Sequence, residues 1–192
     1  VVITSKNAIN IIAFLILLII FIGAFSSSYT SHNLTNLAYV LALGIDVGEN
    51  AKIKLTAQFT KSATFSPNSN SSDESSNIIL ISGEADSIYS CLNLLNSYVG
   101  KEINLAHCGA VIFSEDFAKN GISSQIYSLL NSEEFRPTTH LIISTCPAYE
   151  YLSNVKPNLE KITTNYYATY EITNKFTGYF SNTTVGEFFN TL

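Results

Sequence analysis

Between Leu37 and Ile45 the chain is almost uninterruptedly apolar (LAYVLALGI), and between Lys52 and Phe59 it alternates. In the second run Ile53, Leu55 and Ala57 share one face, and Lys54, Thr56 and Gln58 share the other. A continuous apolar run fits a strand covered on both faces, whereas a period of two fits a strand with one wet face, nearer a sheet edge. The intervening Asp46-Val47-Gly48-Glu49-Asn50 supplies residues that tolerate turn geometry. The pattern predicts an antiparallel pair joined by a tight turn. Its apolar faces need cover from helices later in the chain.

Upstream, Ala8 to Phe25 is apolar except for Asn10, with Lys6 before it. As a helix this run measures roughly 27 Å, long enough to cross a bilayer, and the preceding positive charge favours export of the downstream chain. It is greasy all round, which fits a membrane helix or a signal segment. It either stays as an anchor or is cut near Ala24-Phe25-Ser26. Ser26 to Asn36 is a polar spacer, and 61–77, rich in Ser and Asn and carrying Pro67, is a long surface loop.

Ile78 to Ser82 is predicted as a third strand ended by Gly83. A helix follows from an Asp86 N-cap to Val99, with Gly100 at its end and a stripe of Ile88, Cys91, Leu92, Leu95 and Val99. A fourth strand is expected from Ile103 to Phe113. Together they form a βαβ unit with parallel strands. Ser114 caps a short helix with Glu115 and Asp116 in its first turn. After Gly121 a second helix carries Ile122, Ile126, Leu129 and Leu130, and Pro137 closes the connection. Thr138 to Ser144 is a fifth strand, and Pro147 opens a helix bearing Leu152. Pro157 opens another helix to about Tyr167. The aromatic stretch to Phe180 has no clean period, and Asn182-Thr183-Thr184 caps a last helix over Val185 to Leu192. The fold class is α/β (α+β): a mixed sheet of about five strands with helices on at least one face, preceded by an N-terminal membrane helix or signal segment. The expected division is an anchor or signal segment over 1–28 and one domain over 29–192.

The chain has 192 residues, starts at Val1 rather than Met, and carries a net charge of −5 with only 13% charged residues. It holds no basic run interleaved with aromatics, so nucleic acid is not an expected partner. Cys91, Cys108 and Cys146 are odd in number, widely spaced and never in C-x-x-C form, which points to small buried thiols. His32, His107 and His140 are the only histidines. His107 and Cys108, adjacent on the expected strand, would point to opposite faces. Pairing of His107 with Cys146 or His140 across strands stays open. Asp46 and Glu49 could form a carboxylate pair, but a solvated turn explains both. Gly44-x-x-x-Gly48 lacks the Gly-Lys-Ser/Thr ending of a phosphate loop. No residue is assigned a catalytic, cofactor-binding or metal role, and no cofactor is expected.

Several short blocks in order carry a resemblance. They are LAYVLALGIDVGENAKIKLTAQ from Leu37, Gly83-Glu84, Leu105-Ala106-His107, VIFSEDFA from Val111 with Gly121-Ile122 after it, and TVGEFF from Thr184. Over roughly Leu34 to Leu192 the chain resembles the Ger(x)C family, the C subunits of bacterial spore germinant receptors. The resemblance implies a protein about twice this long with further domains. It implies a membrane-held scaffold on the exported face of the spore inner membrane, assembling with the receptor's A and B subunits, which respond to nutrients such as amino acids or sugars. It also implies a lipobox cysteine followed by tryptophan shortly before the first strand. Counting back, those positions fall on Ser28 and Tyr29, so no lipid site is expected and the apolar helix alone would anchor the chain. Glu84, Glu115, Asp116 and Glu187 coincide with recurrent family positions, and caps and turn hydrogen bonds account for them. A bacterial origin makes the sequons at Asn33, Asn70 and Asn182 uninformative. An alternative function is a membrane-tethered nutrient-binding domain using Tyr166 to Phe180 as a ligand wall. A surface hydrolase fares worst, since no motif places a nucleophile with its base.

Overall fold

The computed structural model describes residues 5–26, 37–60, 78–155, 166–167, 169–178 and 181–192. The expected surface loop at 61–77, the polar spacer with Ser28, Tyr29, His32 and Asn33, Asn70, and most of the helix expected from Pro157 lie outside the described residues. The chain forms two compact units, 1–35 and 36–192.

The first unit holds one helix, α1 (Ser5–Ser26), about 33 Å long at 1.5 Å per residue. Its large apolar side chains from Ile9 to Phe21 are all exposed. Apart from Asn10, the apolar run covers every direction of the helical turn. Side chains are described on it for 8–21 only, and among the described residues no helix is long and apolar enough to cross a membrane.

The second unit is built on a six-stranded mixed sheet in the order β3-β2-β1-β5-β6, with β4 also paired to β1. The strands are β1 (Leu37–Val47), β2 (Ile53–Thr60), β3 (Ile78–Ala85), β4 (Glu102–Asn104), β5 (Ala110–Ser114) and β6 (His140–Ser144). The predicted β1–β2 hairpin is present and antiparallel. β2 lies towards an edge, one strand in: β3 pairs along its whole length and is itself the edge strand. Thr56 and Gln58, expected on a wet face, are nevertheless fully buried. β3 also runs through Gly83 to Ala85 rather than stopping there. A Cβ at Gly83 would stand 3.1 Å from a Leu94 methyl, so the bare backbone lets the next helix lie close.

The strand expected over Ile103–Phe113 is instead two collinear pieces. β4 pairs with Leu37–Tyr39 and β5 with Ala42–Ile45, both parallel to β1. Between them the chain leaves the ladder at 105–109, returning where Gly109 N–H donates to Leu41 O at 2.8 Å. Opposite this break β1 has its own irregularity between Val40 and Ala42. The extra residue resets the alternation, so Val40 and Leu43 share one core although three residues apart.

Helices cover both faces. On one lie α2 (Ile88–Val99), α3 (Glu115–Ala118), α4 (Ser123–Leu130) and α7 (Val185–Phe189). Their Cys91, Leu95, Phe117, Ile126, Leu129 and Val185 pack on Leu43, Ile45, Leu55, Val111 and Phe113 of the sheet. The stripe predicted for α2 faces this core, with Gly100 in the left-handed conformation at its end and Ser87, not Asp86, as N-cap. On the other face α5 (Ala148–Asn154) and the tyrosines at 166–170, where α6 (Tyr170–Thr177) starts, lie over a floor of Ala42, Ala110 and Ile112. Two of these three strand residues are alanines, which keeps the floor low. A Cβ on Gly44 would come within 2.9 Å of a Leu152 methyl and 3.1 Å of Ala148 Cβ.

Candidate functional site

In sheets with parallel strands, ligands collect at the carboxyl ends of those strands. β1, β5 and β6 run parallel here. At their carboxyl ends lies a cleft of about 280 Å³ lined by Asp46, Glu49, Lys54, Ser114, Glu115, Asp116, Cys146, Pro147 and Tyr149, among others. Among the described residues four carboxylates and one lysine line the cleft, so their balance is acidic. Lys119, just outside, pairs with Glu115 at 3.2 Å and Asp116 at 3.6 Å, and the Glu115 carboxylate raises the Lys119 pKa. Lys54 Nζ sits 5.9 Å from the centre of the Tyr149 ring.

Asp46 is not the solvated turn residue the sequence suggests. It remains in β1, is only 7% exposed, and accepts the backbone N–H groups of Ala148 at 2.7 Å and Tyr149 at 3.0 Å. Its carboxylate thus satisfies the first amides of α5, where Pro147 offers no capping side chain. Glu49 stays in the exposed turn, while Asp46 is committed to the α5 amides. The hydroxyls are engaged as well. Ser114 Oγ donates to Ile45 O at 3.5 Å, and Ser144 Oγ lies 3.2 Å from Cys146 Sγ.

Nucleophilic catalysis needs a base within hydrogen-bond reach of the nucleophile. Neither His107 nor His140 lines the cleft. His107 is exposed on the break between β4 and β5, not on a strand, and its ring meets Tyr39 edge-on at 4.7 Å. His140 heads β6 and meets the Tyr170 ring at 5.9 Å. Cys91 and Cys108 are buried thiols, the latter in the break rather than within a strand. Burial raises both, Cys108 to about 12, and their S–H groups donate to Ile53 O and Ala110 O. Among the described residues no group of three or more His, Cys, Asp or Glu could hold a metal ion.

The remaining acids have local duties. Glu84 reaches back to the β1–β2 turn, accepting Asn50 N–H at 2.9 Å, and that bond holds its carboxyl below the usual value. Glu187 completes a capping box with Thr184 at the start of α7, accepting the Thr184 N–H at 2.8 Å. That bond lowers its pKa too.

The aromatic stretch expected as a ligand wall turns inward at 166–170. Tyr167 is fully buried and donates its hydroxyl to Gln58 Oε1 at 3.1 Å, while Gln58 Nε2 donates to Leu152 O at 3.5 Å. Tyr151 and Tyr170 share a hydrogen bond between their hydroxyls. Burial raises all three phenols. Further along α6, Ile172 and Phe176 are exposed. The structural role of Gln58 and Thr56 escapes the sequence pattern, because alternation alone reads both as solvent-facing.

A second, larger depression of about 590 Å³ lies on the helical face, between α2 and α4 beside β4. The family model described as the spore germination protein N-terminal domain matches residues 30–192. No curated protein and no solved structure matches the chain. The match takes in the whole sheet unit, with both the acidic cleft and the helical groove inside it. The chain therefore belongs to the spore germination protein N-terminal domain family, as the Ger(x)C-like blocks along its strands imply.

Proposed function

We propose that the chain is the non-enzymatic, membrane-anchored C subunit of a nutrient germinant receptor, and that it scaffolds or stabilises assembly with the A and B subunits. The family match over 30–192 carries this reading. The engagement of polar groups at the strand ends supports its non-catalytic side: Asp46 holds the α5 amides and Ser114 a strand carbonyl. The helix α1, apolar and exposed all round from Ile9 to Phe21, supports the anchor. In this reading residues 1–28 serve as membrane segment and 29–192 as the exported domain on the spore inner membrane, with no lipid attached at Ser28. The packing of Tyr166, Tyr167 and Tyr170 against the sheet leaves less of the aromatic stretch for the alternative, nutrient-binding reading.

Deleting the gene tests the proposal. Loss of nutrient-triggered germination, together with reduced levels of the A and B subunits in spore membranes, is the expected result. Normal germination in every nutrient with unchanged subunit levels contradicts it.

A further inference from the structure

Resting on the receptor-subunit reading, we propose that the groove between α2 and α4 docks a basic, apolar segment of a partner polypeptide. The groove of about 590 Å³ has an apolar floor of Ile88, Leu92, Ile103, Leu105 and Leu129. Two tyrosines stand on its rims, Tyr89 on α2 at 70% exposure and Tyr127 on α4 at 59%. Exposed tyrosines over an apolar floor are the usual anchors of protein interfaces, offering large rigid area with a polar tip. The Tyr127 ring continues the aromatic surface towards Phe189 of α7, 6.5 Å away.

Charge selects the occupant. Among the described residues, those with carboxylates lining the groove are Glu102 and Glu134, and no lysine, arginine or histidine of that set lines it. Glu134 is held in place, one of its oxygens accepting Leu105 N–H at 3.4 Å. A segment with apolar side chains and a lysine or arginine among them matches both floor and rim. A second copy of this chain matches poorly. A two-fold contact through the groove would gather the same carboxylates from both copies, in a protein already at −5. The amides and hydroxyls of Asn93, Ser128 and Ser132 line the groove as well, which suits the backbone of an extended or helical segment better than an apolar small molecule.

The test places a photo-crosslinking amino acid at Asn93, within the groove, or at Ser124, exposed on α4 outside it, in the full chain expressed in spores. Cross-linked peptides are mapped by mass spectrometry. Position 93 is expected to capture a segment with lysine or arginine among apolar residues. The double variant Glu102→Gln with Glu134→Gln keeps an acceptor for Leu105 N–H and is expected to cut the yield about threefold to tenfold. Capture of a second copy or of an acidic segment overturns the proposal, as does a yield indifferent to neutralisation. So does no capture from position 93 while the chain still co-purifies with receptor subunits, an outcome that leaves the receptor reading standing. Capture of a basic, apolar segment from a protein outside the receptor keeps the groove and removes that reading.

Discussion

Replacing Asp46 with alanine leaves the N–H groups of Ala148 and Tyr149 without their acceptor, in a position only 7% exposed. Orphaned buried donors of this kind cost about 1–3 kcal/mol, so Asp46→Ala is expected to lower the thermal midpoint by several degrees. Asp46→Asn, which keeps one acceptor oxygen, is expected to lose less. Equal stability of all three forms, measured by thermal unfolding, would show that the carboxylate does not hold α5. The sequence places Asp46 beside a turn and gives no sign that residues a hundred positions later need its oxygens. Gly44 is similar: the pattern places it in a strand, but gives no sign that its missing side chain makes room for Leu152 and Ala148. Glu84 and Glu187 were legible because their partners are local in the fold, a neighbouring hairpin turn and a cap three residues back.

At the scale of elements, α7 shows how a cap couples to pH. Hydrogen bonding to Thr184 N–H depresses the Glu187 pKa below its ordinary 4.5. A depressed folded value means the carboxylate stabilises the fold above pH 4.5 and that this contribution fades as pH falls through the lower value. Glu187→Gln is therefore expected to be less stable than the natural chain near neutrality, and the two melting temperatures are expected to converge in acid. A constant gap from about pH 7 to about pH 3 contradicts the coupling. The helices α2, α4 and α7 were readable from periodicity, because each shows one apolar stripe to a single core, and α7 also from its Thr184 cap. The strands were harder. Thr56 and Gln58 alternate as if solvated, yet β3 and α5 enclose them, and only their hydrogen bonds to Ser82, Tyr167 and Leu152 make that burial tolerable. The break between β4 and β5 has no apolar gap to announce it, since Leu105 and Cys108 are buried although the chain has left the ladder.

Across the whole sheet unit, buried protic groups lie on both faces: Cys91 and Cys108 under the α2 side, Tyr151, Tyr167 and Tyr170 under the α5 side. Burial raises every one of them. The folded chain retains protons that the unfolded chain gives up near the ordinary 9.0 of a thiol and 10.0 of a phenol. Stability is thus untouched below those values and falls as pH rises towards the folded ones, about 12 for Cys108. The urea midpoint is expected to drop between about pH 7 and about pH 10.5, and Cys108→Ala is expected to shallow that drop. A midpoint flat across this range refutes the burial account. Such buried groups stabilise the body of the domain; the assembly role proposed for it rests on the germination family.

That role is tested most directly by purifying the tagged full chain from spore membranes and quantifying what accompanies it. The A and B subunits in fixed proportion, retained after the membrane is dissolved, are the expected result. Recovery of the chain alone, or with neither subunit above background, contradicts the account.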